Sequence, residues 1–258
     1  MLTDKNYLNK IIKSLNLSAN DTVVEIGAGS GLLTLELAKT AKKVFAVESE
    51  REILKTLKEN LSNSKLTNVQ VIESNFLKLD LSSIIKTPFV AVGNIPYNIT
   101  SKIIIKLLGE IDKVAPHIDL LKNIYLMLQL EVAKRITAVP RTKSYSPLSI
   151  LVQYFCDPQI LFKVPAGAFF PKPGVDSAFV DFHKKNTFTE IDNPTHLKQI
   201  IRISFQGRRK KILNSLRKII DDKEYITRVF EKNGLDCNLR PDQISFDEYI
   251  KISKLVSK

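Results

Sequence analysis

Two short turns hold the residues best suited to do chemistry. Asn94-Ile95-Pro96-Tyr97 follows the apolar run Val90-Ala91-Val92-Gly93. Pro96 fixes its own φ and biases Ile95 toward an extended backbone. The side-chain carbonyl of Asn94 and the main-chain carbonyl of Ile95 can then face one spot beyond a strand end. Two acceptors aimed at one exocyclic amine would take both of its N–H protons in hydrogen bonds. That favours rehybridisation and turns the nitrogen lone pair out of the ring toward an electrophile. Tyr97 adds an aromatic face for a base lifted out of its stack. An ordinary strand-ending turn uses the same residue types, so the reading depends on what stands nearby.

The second turn is Glu25-Ile26-Gly27-Ala28-Gly29-Ser30-Gly31. Glycines there allow positive φ and a close approach of backbone to ligand. Gly27 and Gly29 would cradle it. Glu48 follows about 20 residues on, where a carboxylate can accept hydrogen bonds from ribose hydroxyls. Leu32 stands where a dinucleotide-binding turn has its last glycine. The pattern therefore suits a nucleoside cofactor without a pyrophosphate, such as S-adenosylmethionine.

These turns need a frame, and the chain supplies strand and helix signals in alternation. Residues 22–26, 43–47, 69–72, 89–92 and 124–128 read as strands. Residues 32–39, 51–61 and 103–108 read as helices. This order predicts a parallel sheet with helices on both faces and right-handed crossovers. Ligands of such sheets lie at the carboxyl ends of the strands, where both turns fall. Residues 148–155 form an apolar helix or strand, a Pro-rich segment follows, and 178–182 read as a strand. A polar linker at 184–194 precedes a tail with helical spacing. The expected division is residues 1–184 and a small helical domain at 185–258.

The composition is that of a globular chain, with 44% hydrophobic and 26% charged residues among 258. No apolar run approaches the roughly 20 residues of a membrane span. No secretory leader is recognisable, so a cytoplasmic location is expected. Two cysteines and three scattered histidines argue against a disulfide framework or a structural metal site. The net charge is +12. Residues 1–184 and 185–258 each carry +6, so the tail is the more basic per residue. Residues 202–218 hold seven basic side chains and no acidic one. Such a run is either a solvated face or the electrostatic footprint of a nucleic acid.

Together the two turns resemble class I S-adenosylmethionine-dependent methyltransferases that modify adenine N6. Further segments narrow the likeness to the KsgA-type ribosomal RNA adenine dimethyltransferases. These are Asn6-Tyr7-Leu8 and Tyr145-Ser146-Pro147-Leu148-Ser149 with Gln153-Tyr154. Phe169-Phe170-Pro171-Lys172-Pro173-Gly174-Val175-Asp176-Ser177 is similar to the family's F-x-P-x-P-x-V-x-S segment. Phe205-Gln206-Gly207-Arg208-Arg209-Lys210 and Arg240-Pro241-Asp242-Gln243-Ile244-Ser245 complete the set.

The resemblance implies an α/β, Rossmann-like methyltransferase domain with a small all-helical C-terminal domain. It implies methyl transfer from S-adenosylmethionine to N6 of two adjacent adenosines in an immature small ribosomal subunit, by a monomer without a metal. Asn6, Leu8, Gly27, Gly29, Glu48, Asn75 and Asn94 would hold the cofactor. Asn94, Ile95, Pro96, Tyr97 and Phe169 would hold the target adenine. Arg202, Arg208, Arg209, Lys210 and Lys211 would grip RNA phosphates. Two positions depart from the family pattern: Lys5 stands where it has Gln, and Asn75 where it has Asp. Three alternatives share the fold. They are an Erm-like large-subunit rRNA dimethyltransferase, a DNA adenine methyltransferase, and a non-catalytic RNA-binding assembly or transcription factor.

Overall fold

A computed structural model describes residues 2–256. In chain order the strands are β1 (Thr22–Ile26), β2 (Lys43–Glu48), β3 (Val69–Glu73), β4 (Phe89–Asn94), β5 (Gly109–Glu110), β6 (Lys113–Val114), β7 (Leu121–Gln129), β8 (Gln159–Val164) and β9 (Ser177–Asp181). The α-helices are α1 (Lys5–Ser14), α2 (Leu32–Thr40), α3 (Arg51–Ser62), α4 (Leu81–Ile84), α5 (Thr100–Leu108), α6 (Leu130–Ile136) and α7 (Pro147–Phe155). They continue with α8 (Pro194–Gln206), α9 (Ile212–Leu216), α10 (Lys223–Lys232) and α11 (Phe246–Leu255).

The chain divides into two compact units. The first runs to Gly109 and adds Ala115–Ala133 and Cys156–Lys184. Its sheet has the order β3-β2-β1-β4-β7-β9-β8. The first five strands in that order are parallel, as the strand–helix alternation requires. β1 is buried along its whole length, as expected of a central strand covered on both faces. Val23, Val44, Val90 and Val92 pack with Ile11 of α1, Leu37 of α2 and Phe179 of β9 in one core.

The five strands read from the first 130 residues are the parallel ones, and the sheet as a whole is mixed. β9 runs antiparallel to both β7 and β8. β8 lies just before the prolines, in a stretch where the sequence reading has no strand. Its Gln159 and Lys163 are exposed while Phe162 and Val164 are buried, the short alternation of an edge strand.

The second unit comprises Glu110–Val114, Lys134–Phe155 and Lys185 onward. Its core joins Leu197, Ile200, Ile212, Leu216, Ile226, Phe230, Tyr249 and Ile252, all buried. The stretch at 148–155, open between helix and strand on sequence, is the helix α7. It clusters with this unit, so the unit is more than the tail after residue 184. Tyr154 of α7 packs its ring 5.7 Å from Phe188 and 5.5 Å from Phe246. Lys198 of α8 holds the short β5–β6 hairpin through Glu110 at 2.6 Å and Asp112 at 2.8 Å.

Candidate active site

Sheet register brings the two turns together. Ile26 pairs with Gly93, so the glycine turn leaves β1 beside the end of β4. Glu48 pairs with Glu73, which sets the end of β2 beside the segment leading to Asn75. Four strand ends thus open on one edge of the sheet. A Cβ on Gly93 would stand 2.9 Å from both the Ile26 carbonyl oxygen and Ile95 Cγ2. Only glycine lets β1 and β4 meet that closely. In the turn itself Gly27, Gly29 and Gly31 take φ of 71°, 59° and 91°. The amides of Gly27 and Ala28 both donate to the Val47 carbonyl, at 2.9 and 3.0 Å, which braces the turn against β2.

A cavity of about 400 Å³ opens at this edge, within the first unit. Leu8, Gly27, Gly29, Glu48, Asn75, Asn94, Ile95, Pro96, Tyr97 and Phe169 line it. Asn6 does not. It is exposed, and its amide donates to the Asp4 carboxylate that caps α1. An i, i+2 offset on a helix puts Asn6 and Leu8 on different faces, and only Leu8 turns inward.

Glu48 is fixed from three sides. Its Oε2 accepts from the Gly29 amide at 2.9 Å. Its Oε1 accepts from the amides of Ser49 at 2.7 Å and Glu50 at 3.0 Å. These bonds aim the carboxylate and leave lone pairs for a diol. Asn75 Oδ1 accepts from the Leu77 amide at 2.9 Å and so caps the turn Phe76–Lys78. That leaves the second lone pair of its carbonyl and its NH2 group to meet a ligand. The Tyr97 and Ser177 hydroxyls meet at 2.7 Å. Phe169 is buried against the cavity, and its backbone bridges to Leu2.

Glu25 is a feature sequence reasoning passed over. It lines the cavity yet is only 1% exposed. Burial pushes its carboxyl up to about 8; a 2.6 Å hydrogen bond from Thr34 pulls the other way, and the charge on Glu48 adds to the rise. It is therefore neutral near pH 7. An acidic residue among the apolar Val23, Val24 and Ile26 of a central strand was the available signal.

The basic stretch 202–218 is not one helix. It is the end of α8, a turn at Gly207, and α9. Arg202, Arg209 and Lys210 are exposed. Arg208 is held within the second unit by Asp242 at 3.4 Å and by the Lys143 carbonyl. Lys211 donates to Asn238 Oδ1 at 2.6 Å. Among the described residues no group of three or more His, Cys, Asp or Glu is placed to hold a metal, and no helix is long and apolar enough to cross a membrane.

Comparison with known proteins agrees with this geometry. The profile of the family described as Ribosomal RNA adenine dimethylase matches residues 1–258. The chain belongs to that family. Two relatives named Ribosomal RNA small subunit methyltransferase A illustrate the distance. The one from Clostridioides difficile is 34% identical over 263 residues, covering 99% of this chain and 88% of the relative. The one from Nostoc is 32% identical over 261 residues, covering 99% and 94%. Among solved structures, a dimethyladenosine transferase from Plasmodium falciparum superposes with a TM-score of 0.79 at 28% identity, covering 98% of this chain and 95% of that one. The 23S rRNA methyltransferase ErmE gives 0.75 at 25% identity over all of both chains. The Rossmann-like fold expected of an adenine dimethylase is thus the fold observed.

Proposed function

We infer that this adenine dimethylase transfers methyl groups from S-adenosylmethionine to N6 of adenosines in small-subunit ribosomal RNA, giving N6,N6-dimethyladenosine. The observation that carries the reading is the meeting of Glu48, Asn94 and Tyr97 in one cavity at the strand ends. Each does a different part of the task.

The cavity suits an adenosyl sulfonium. Glu48 offers oriented acceptors for a ribose diol. Asn75 offers an NH2 donor beside the buried ring of Phe76, and Ile53 and Ile103 supply apolar wall. When bound, S-adenosylmethionine supplies a methyl group already activated on sulfur. What the chain adds is orientation and exclusion of water. In the first transfer the Asn94 side-chain carbonyl and the Ile95 carbonyl would accept hydrogen bonds from the two N6–H groups. In the second, the single N–H left on the monomethylated nitrogen would donate to one of them. Each time the nitrogen lone pair would turn toward the methyl carbon. A nitrogen–carbon bond forms as the carbon–sulfur bond breaks, and the surplus N6 proton leaves to solvent. Tyr97 and Phe169 flank the base. Rotating a base out of its stack costs a few kcal/mol, which their aromatic contact helps to offset.

Exposed Arg202, Arg209 and Lys210 would bind phosphates, giving salt-dependent affinity without base choice. Arg208 and Lys211 are engaged within the unit, so they serve its shape as well. We assign the substrate to an immature small subunit, the working form to a monomer, and the location to the cytoplasm.

The test is incubation with labelled S-adenosylmethionine and separate small and large subunits lacking the modification, followed by mapping of the modified nucleotide. Label on two adjacent small-subunit adenosines is expected. Label on the large subunit would move the chain to the ErmE-like activity. No label on either, with intact RNA binding, would leave a binding factor.

A further inference from the structure

Tyr97 lies in a turn and Ser177 at the start of β9, 80 residues apart, yet their hydroxyls meet at 2.7 Å. Either hydroxyl can donate. The two ends of this bond differ in rigidity. Ser177 is fully buried and opens β9. It pairs with Gln129 of β7 and with Val164 of β8, so strands on both sides fix it. Tyr97 sits in a single tight turn after Pro96 and is only partly buried. That turn has little backbone support: Ile99 donates to the Pro96 carbonyl at 3.3 Å, and Thr100 Oγ1 to the Tyr97 carbonyl at 3.2 Å.

A tyrosine ring rotates about two side-chain bonds, and a partly exposed ring on a short turn would sample several orientations. A hydrogen bond at the far tip of the ring restrains both rotations at once. Stacking on a base needs a defined ring plane, because offset and edge-on arrangements differ in energy. We propose that Ser177 is a positioning residue that clamps Tyr97 through its hydroxyl and so sets the plane on which the target adenine stacks. The clamp joins the Asn94-Ile95-Pro96-Tyr97 turn to the Phe169–Ser177 segment. Both walls of the base site are thereby registered to one sheet, with β7 between β4 and β9. This inference rests on the methyltransferase reading above.

The experiment is a double-mutant cycle with Ser177→Ala, Tyr97→Phe and the double variant. Each variant is assayed for single-turnover methyl transfer to unmodified small subunits and for S-adenosylmethionine binding. Each single change removes the same bond, so each should slow transfer by about five- to tenfold. The double variant should be no slower than either single. Donor affinity should stay within about twofold, since neither hydroxyl is part of the donor wall. RNA carrying 2-aminopurine at the target position supplies a second readout. Stacking on Tyr97 quenches its fluorescence, and both single changes should relieve that quench equally.

Multiplying losses in the double variant would overturn the proposal, because Ser177 would then act by another route. So would wild-type transfer and quenching in Ser177→Ala. If Ser177→Ala proves too unstable, Tyr97→Phe alone removes the bond, and full activity with an unchanged quench would overturn the proposal equally. Failure of the wild-type protein to methylate any rRNA is a different result, and it would reject the activity rather than the clamp.

Discussion

Replacing Glu25 with glutamine should change how the fold responds to pH. The folded protein holds the Glu25 proton up to about pH 8, whereas a free carboxyl loses it near 4.5. Between those values the folded state binds more protons than the unfolded one, so stability falls as pH rises. Each pH unit inside the window costs about 1.4 kcal/mol. From about pH 5 to about pH 8 the loss is on the order of 4 kcal/mol, a large share of a typical folding free energy. The glutamine side chain keeps an oxygen for Thr34 and has no proton to lose. The variant should match the wild type near pH 5 and exceed it by a few kcal/mol near pH 8.5. His117 is held below its ordinary 6.5 mainly by burial, and contributes a slope of opposite sign below that value. It is common to both proteins and cancels in the difference. Urea unfolding of both proteins at half-unit pH steps measures the effect. Parallel curves, with a difference constant to within about 0.5 kcal/mol, would show that Glu25 ionises normally and that the burial argument is wrong.

Asn94→Ala should lower methyl transfer by at least about a hundredfold while RNA affinity by filter binding changes little. Arg209→Ala with Lys210→Ala should weaken RNA binding and reduce the slope of log affinity against log salt by about two, measured by titration across salt concentrations. Arg208→Ala should mainly lower stability, read as an earlier urea midpoint, because Asp242 then loses its partner. Asn75→Asp should keep the cap on Leu77 and offer the cofactor adenine an acceptor in place of a donor, tightening S-adenosylmethionine binding by about three- to tenfold in calorimetry. Gly93→Ala should cost about 1–3 kcal/mol in unfolding experiments and reduce transfer as well, since β1 and β4 must part to admit the added side chain.

The parts of this site that could be read from sequence are those whose geometry is local. Three alternating glycines and the Asn-Ile-Pro-Tyr turn each fix their own backbone, and strand–helix alternation places both at one sheet edge. Glu48 follows from spacing alone. Other features needed packing to appear. The antiparallel insertion of β9 depends on which edge of β7 is open, and no spacing states that. Glu25 is chemically unusual only because neighbouring strands and α2 close over it. Ser177 finds Tyr97 across 80 residues, a pairing without any periodic trace. The basic stretch reads as one run because charge does not encode direction. The break at Gly207 and the engagement of Arg208 by Asp242 divide it into outward and inward groups.

The strand order has a consequence for redesign. Gly27 follows β1, Glu48 ends β2 and Asn75 follows β3, on one side of the boundary between β1 and β4. Asn94, Tyr97, Phe169 and Ser177 come from β4, the turn after it, the segment before β9 and β9 itself, on the other. On the proposed reading, most donor contacts and most base contacts therefore fall in separate halves of one sheet and separate stretches of sequence, with Asn94 and Ile103 reaching the donor from the second stretch. A chimera taking residues 89–181 from another adenine methylase should exchange the base contacts while keeping Gly27, Glu48 and Asn75 for the donor, provided Asn94, Ile103 and the glycine where β4 meets β1 are retained.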